Sequence, residues 1–249
     1  MNILVCIDDT DSLDSKGTGA HALEVSQKIS EKGWGAPKFI SRHQLYVHED
    51  IPYTSHNSAM CFEVDGVQGK NLKNIRDLCI EYLERESAQG SDPGLCIVEL
   101  DRLVDREGLI GFGKKAKENV LTKKDAYGTA LKLGVHLSEH GGTGGGVIGA
   151  LAGAGLRLYG NDGRIKGKYF VGHQGQVMTA EEILQSTNIC EIREENGKAL
   201  GGQERIVLGE KVKAVLLEGK VMLLVERTEG DMRDRAEWAT LSKSKVRKY

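Results

Sequence analysis

Over the first hundred residues the apolar positions fall into short runs and helical stripes that alternate along the chain. Asn2 to Ile7 is a nearly continuous apolar run ended by Asp8, which predicts a buried strand. From Ala20 to Glu31, the residues Ala22, Val25 and Ile29 recur at helical spacing, and Gly33 supplies a stop. Pro37 to Val47 reads as extended and is broken at Asp50-Ile51-Pro52. In the next strand, Ala59 to Val64, Met60, Phe62 and Val64 alternate with other residues. Leu72, Ile75, Cys79 and Leu83 mark one face of a helix, and after Asp92-Pro93-Gly94 the run Leu95 to Leu100 predicts a further strand. The order β-α-β-β-α-β is that of the split βαβ, or ferredoxin-like, unit, and it places the chain in the α/β (α+β) class.

From residue 101 the pattern changes to a polar loop, a helix near Phe112 to Leu121 and a second from Asp125 to Leu133. Gly141-Gly142-Thr143-Gly144-Gly145-Gly146 then leads into Val147 to Ala154, a small-residue apolar run that predicts a buried helix. Beyond Tyr159 the reading is mostly β, with Val212 to Leu217 and Val221 to Val225 forming a hairpin about Glu218-Gly219-Lys220. The expected division is residues 1–100, a ferredoxin-like unit carrying an acidic motif, and residues 101–249, a glycine-loop region with a β-rich C-terminal part.

Composition narrows the function classes. The 249 residues carry 34 Lys and Arg against 36 Asp and Glu, a formal net charge of −2, so no global basic field attracts nucleic acid. RNA would need a partner protein or a local patch, such as Lys114, Lys115, Lys117, Lys123 and Lys124, or the tail Lys243, Lys245, Arg247 and Lys248. Cys6, Cys61, Cys79, Cys96 and Cys190 stand far apart with no Cys-x-x-Cys pair, which argues against a zinc ribbon and for reduced thiols. No basic stretch precedes an apolar core at the N-terminus, and no run approaches the roughly 18 apolar residues of a membrane span, so a cytoplasmic location without membrane contact is expected.

The first candidate chemistry lies at the mouth of the first strand. Asp8, Asp9 and Asp11 put three carboxylates within four positions, and they repel one another unless protons or a cation intervene. Their hard oxygens suit Mg²⁺ or Ca²⁺. Thr10 and Ser12 add hydroxyls that can orient water or phosphate, while the simpler alternative is a solvated Asx-turn. The glycine loop supplies the second. Gly141, Gly142, Gly144, Gly145 and Gly146 can turn backbone N–H groups toward one anion at a helix start, with the Thr143 hydroxyl beside them, although no P-loop lysine follows. The third is the polar link from His48 to Ala59, in which His56 and Asn57 can touch a nucleotide. His43, His48 and His56 match no zinc spacing.

Four motifs in the same order, Ile7-Asp8-Asp9-Thr10-Asp11-Ser12, Ile51-Pro52-Tyr53 with Asn57 and Ala59, Asp92-Pro93-Gly94, and Gly144 to Ala152, resemble the archaeal tRNA-isoleucine 2-agmatinylcytidine synthetase (agmatidine synthetase) family. The likeness covers roughly the first 155 residues and continues more weakly to about residue 225. It implies a kinase-like nucleotide-handling part joined to a ferredoxin-like one. It also implies use of ATP and Mg²⁺ to phosphorylate a cytidine of the tRNA anticodon, with agmatine displacing the phosphate. The family's OB-fold and zinc ribbon are not expected in a chain of this length. By resemblance, Asp8, Asp9 and Asp11 hold the metal, and Thr18, His56 and Asn57 lie near substrate or nucleotide. Where the family carries a Gly-x-Cys-Thr-Thr-like segment, this chain has Gly17-Thr18-Gly19-Ala20-His21. Thr54 and His56 stand where basic residues usually follow Ile-Pro-Tyr, and Thr143 and Gly145 replace an Asn and an Arg, which weakens polyanion binding.

The leading expectation is an ATP- and Mg²⁺-dependent phosphotransferase or ligase-like enzyme acting on an unidentified small acceptor. The alternatives are a haloacid-dehalogenase-like phosphatase built on Asp9-Thr10-Asp11 with Gly230-Asp231, a non-catalytic nucleotide sensor, and a tRNA-modifying enzyme with a separate RNA-binding partner.

Overall fold

A computed structural model describes residues 1–51, 57–167, 169, 171–195, 197–229 and 236–249. The chain divides into two compact units, Met1–Tyr159 and Gly160–Tyr249.

In the first unit the elements run β1 (Ile3–Asp8), α1 (Thr18–Glu31), β2 (Ala36–Gln44), β3 (Ser58–Asp65), α2 (Gly69–Glu86), β4 (Gly94–Glu99), α3 (Arg106–Lys115), α4 (Lys123–Leu133), β5 (His136–Glu139) and α5 (Gly146–Tyr159). The sheet has the order β5-β4-β1-β3-β2 with every neighbouring pair antiparallel. The first six elements are the β-α-β-β-α-β unit that the periodicity predicts. An antiparallel sheet is not the doubly wound parallel one that the Asp9-x-Asp11 phosphatase reading requires. Residues Gly230 and Asp231, also used in that reading, lie outside the described residues.

Every residue of β1 is buried because helices cover both faces of the sheet. Successive strand residues point to opposite faces, so Ile3, Val5 and Ile7 pack with Val25 and Ile29 of α1 and Ile75 and Leu83 of α2. Leu4 and Cys6 pack beneath α5, with Leu109 and Phe112 of α3 behind it. Residues 101–159, which the sequence pattern grouped with the C-terminal part, therefore belong to the first unit. Their apolar stripes have the second face of this sheet to cover.

Local signals set the helix limits. Asp105 caps α3 by accepting the Gly108 N–H at 2.9 Å, which starts that helix before Phe112. Thr122 and Asp125 form a capping box that opens α4. The predicted helix near Phe112 to Leu121 is thus displaced toward the N-terminus.

In the second unit β6 (Arg164–Ile165), β7 (Val177–Thr179), α6 (Ala180–Ser186), β8 (Glu191–Glu194), β9 (Arg205–Val207), β10 (Ala214–Leu217), β11 (Lys220–Arg227), β12 (Trp238–Thr240) and α7 (Lys243–Val246) follow one another. Its strands run β6-β10-β11-β12-β9-β7, and β8 pairs in parallel with β11. The predicted hairpin is β10–β11, closed by Glu218 and Gly219 at φ 50 and 71, as a type I′ turn demands. Among the described residues no helix is long and apolar enough to cross a membrane.

Candidate functional site

Asp8 ends β1 on the same face as Leu4 and Cys6, so its carboxylate enters the layer beneath α5. A Cβ at Gly149 of α5 would overlap Asp8 Oδ2, and one at Gly153 would stand 2.6 Å from Cys6 Sγ. Small residues four apart let the helix lie directly on the strand. Burial pushes the Asp8 carboxyl up to about 8, with repulsion from Asp9 and Asp11 adding to it and an Asp9 N–H bond and Arg42 opposing it. Asp9 adopts φ 51, a left-handed conformation that aspartate tolerates better than most residues. Burial, then repulsion from Asp92 and Asp11, raises it to about 6 against a hydrogen bond from the Asp92 backbone.

Asp11 reaches the start of α1, where the Thr18 hydroxyl donates to its Oδ1 at 2.8 Å. The helix has no side-chain cap from Gly17, so this carboxylate is the anion beside its N-terminus. The Thr10 hydroxyl is buried without a hydrogen-bond partner among the described residues, and the Thr10 carbonyl accepts the Ala88 N–H at 3.0 Å. Ser12 turns the chain, its N–H donating to Ser15 Oγ at 2.8 Å.

The glycine loop is organised around Asp92, which is not among the residues expected to bind a ligand. Asp92 Oδ1 accepts the Thr143 N–H at 2.6 Å, its Oδ2 accepts the Thr143 hydroxyl and, at 3.4 Å, the Gly145 N–H, and its carbonyl accepts the Gly146 N–H at 3.0 Å. The Gly144 N–H goes to the Gly141 carbonyl at 3.1 Å. A nest of amides is present as expected, but the anion it holds is the chain's own Asp92. The amides of Thr143, Gly144, Gly145 and Gly146 are therefore not open to a phosphate. Among the described residues no acceptor takes the N–H of Gly141 or Gly142. Gly142 sits at φ 54, where a Cβ would also overlap Asp92 Oδ1. Lys123 braces the loop from α4, donating to the Thr143 carbonyl at 2.7 Å and pairing with Glu139.

The remaining candidates separate. The Asn57 carboxamide donates to the Tyr46 carbonyl at 2.6 Å, and the Asn57 carbonyl accepts from the Leu45 N–H and the Gln44 side chain, so it fastens the start of β3 to the end of β2. His56 and Pro52 to Ser55 lie outside the described residues. His43 is buried against Ser41 at 2.7 Å, and His48 pairs with Asp50 and stacks on Tyr46. Among the described residues no three His, Cys, Asp or Glu side chains converge as a ready metal cage. Asp8, Asp9 and Asp11 are thus not a preassembled three-ligand site. Their donor chemistry still fits Mg²⁺, which is commonly held by one or two carboxylates with water and substrate phosphates completing the shell.

No family model and no curated protein matches the chain. Solved structures do. A TiaS complex with an isoleucine tRNA and ATP is 28% identical with a TM-score of 0.54, and a TiaS complex with that tRNA, AMPCPP and agmatine is 27% identical with a TM-score of 0.53. Apo TiaS, the agmatidine synthetase of that tRNA, is 26% identical with a TM-score of 0.52. Each match covers 62% of this chain, whereas the chain spans 35–36% of those proteins, about a third of their length. With its antiparallel ferredoxin-like sheet, acidic turn and glycine loop, the chain carries a TiaS-like catalytic portion.

Proposed function

We propose that the chain is an enzyme of the tRNA-modification type that uses ATP and Mg²⁺ for phosphoryl transfer or ligation, on a small acceptor or on RNA presented by a partner. The observation that carries this reading is the meeting of two segments far apart in sequence: Asp8, which opens the acidic turn, lies against α5, while Asp92, next to Asp9, ties down the loop from which α5 starts. The likeness to TiaS structures holding ATP and AMPCPP supports the choice of nucleotide.

In this reading Asp8, Asp9 and Asp11 hold Mg²⁺ with the nucleotide phosphates, and bound metal offsets charge that develops on the transferred group. The repulsion that adds to burial in raising Asp8 and Asp9 would be relieved by the cation. The Gly141 and Gly142 amides donate to phosphate oxygens, Thr10 and Ser12 orient water, and Asp92 with Thr143 fixes the loop. Thr18 keeps Asp11 aligned through its hydrogen bond.

The test is isothermal titration of the full chain with ATP, with and without Mg²⁺, alongside Asp11→Ala. Binding is expected to require both Mg²⁺ and Asp11, while the midpoint of thermal unfolding of the ligand-free variant should shift little, because relief of the repulsion on Asp8 and Asp9 opposes loss of the Thr18 bond at the start of α1. No binding at millimolar ATP would overturn the proposal. Tight binding with no turnover under any condition would instead favour a nucleotide sensor.

A further inference from the structure

His21 lies on α1 one turn beyond Thr18 and is only 1% exposed. Its Nδ1 is 3.1 Å from the hydroxyl of Tyr82 on α2, and the two rings meet edge to face. That hydroxyl donates to Glu24 Oε2 at 2.6 Å, and Lys16 Nζ holds the same carboxylate at 2.8 and 2.9 Å. A tyrosine hydroxyl has one hydrogen, so toward His21 its oxygen can only accept and the imidazole must donate from Nδ1. In the neutral ring this leaves Nε2 as a bare lone pair. Nε2 is buried and has no hydrogen-bond partner among the described residues.

The charged groups acting on this ring are Lys16, Glu24, Asp11 and Glu86. Burial, then Lys16, holds its pKa below the ordinary histidine value, so the neutral form prevails at neutral pH. Two more buried hydroxyls lack partners among the described residues, Thr10 Oγ1 on the acidic turn and Ser87 Oγ at the end of α2. The Ala88 N–H bond to the Thr10 carbonyl ties these two segments together. Leaving a buried polar atom unpaired forfeits its hydration with nothing in return. Three such atoms on the segments that border one carboxylate turn indicate a place where a polar ligand group completes the bonding.

We propose that His21 is a further catalytic residue of the nucleotide site, its Nε2 taking the proton from the hydroxyl, amine or water that attacks the transferred phosphoryl group. The Thr10 and Ser87 hydroxyls hold that attacking group. As its bond to phosphorus forms, the bond from phosphorus to the bridging oxygen breaks, the electron pair leaves with the departing nucleotide, and the proton passes to Nε2. The imidazolium so formed keeps its Nδ1–H on Tyr82, whose own proton is held by the Glu24 carboxylate. This role rests on the nucleotide reading given above.

The test uses the full chain carrying nitrogen-labelled histidine, with ATP·Mg²⁺ as probe and water as attacking group. His21→Asn should bind ATP·Mg²⁺ in calorimetry within about threefold of the unaltered chain while hydrolysing it about 100-fold more slowly or worse. Tyr82→Phe should lose less activity and mix the two imidazole tautomers, where the unaltered chain shows Nδ1–H alone. Adding ATP·Mg²⁺ should displace the His21 Nε2 resonance, a readout that holds even where hydrolysis is too slow to follow. Failure of the unaltered chain to bind ATP would sink the nucleotide reading itself. Binding accompanied by an unmoved Nε2 resonance, an Nε2–H tautomer, or full hydrolysis by His21→Asn would overturn the role of His21 alone.

Discussion

The two faces of the first unit's sheet are packed differently. Under α1 and α2 the contacts are made by large side chains such as Ile3, Val5, Ile7, Phe62, Ile75 and Leu83. Under α5 large residues such as Leu4, Val98 and Leu151 are interspersed with the small Cys6, Ala59, Cys61, Cys96, Ala150 and Ala154, and Gly149 and Gly153 are set against the strands. Bulky layers hold a helix off its sheet and tolerate some adjustment, whereas small layers bring backbone against backbone. Asp8 and the glycine loop stand at the end of the close-packed face, so that part of the site inherits its geometry from the face with the least freedom.

The largest effect should come from adding one carbon to that face. A Cβ at Gly146 would overlap the Asp92 carbonyl and lie 2.9 Å from the Gly94 nitrogen, both backbone atoms that cannot swing aside. Gly146→Ala should therefore cost on the order of 5 kcal/mol or more in denaturant unfolding. On the opposite face Phe62→Ala removes a fully buried ring and should cost about 3–5 kcal/mol by leaving a cavity. If the two costs are reversed, the contrast between the faces fails.

The faces should also differ in their response to pH. Asp8 is held at about 8 in the folded chain and titrates near 3.8 when unfolded. The folded state therefore keeps a proton that the unfolded state has lost. Stability from this group is fully present below pH 3.8 and declines as pH rises toward about 8. Asp9, raised to about 6, acts in the same direction. In thermal melts without Mg²⁺, Asp8→Asn should flatten this decline, while Phe62→Ala should lower the whole curve without changing its slope. The smallest effect belongs to Gly111 in α3, where a Cβ meets nothing within 4 Å. Gly111→Ala should stabilise by about 0.5–1 kcal/mol through helix propensity.

Much of this architecture was legible because it follows from period alone. The alternation of Met60, Phe62 and Val64 and the stripe Leu72, Ile75, Cys79 and Leu83 each require one face of a strand or helix to be buried, and each is. β5 escaped because it is a four-residue edge strand whose side chains are half-buried or exposed, so His136-Leu137-Ser138-Glu139 carries little apolar contrast. The acidic turn and the glycine loop were visible as residue types, but the loop's occupant was not. Asp92 stands some fifty residues before Thr143, and only the approach of β4 to the start of α5 makes that carboxylate the partner of those amides. His21 was hidden for a similar reason, since its tautomer depends on Tyr82 and Glu24 from two different helices.

The seating of the start of α5 at Gly146 on the backbone of Asp92 and Gly94 also bears on how such a chain can change over evolutionary time. Where side chains are large, a loss in one position can be answered by a gain in its neighbour, and sequences drift by compensated pairs. Where the neighbours are main-chain atoms, as the Asp92 carbonyl and the Gly94 nitrogen are for Gly146, no partner substitution restores the space. Lineages carrying this fold should therefore vary along the outer surfaces of α3 and α4 while the α5 seam stays fixed, a record of geometry kept by the absence of atoms.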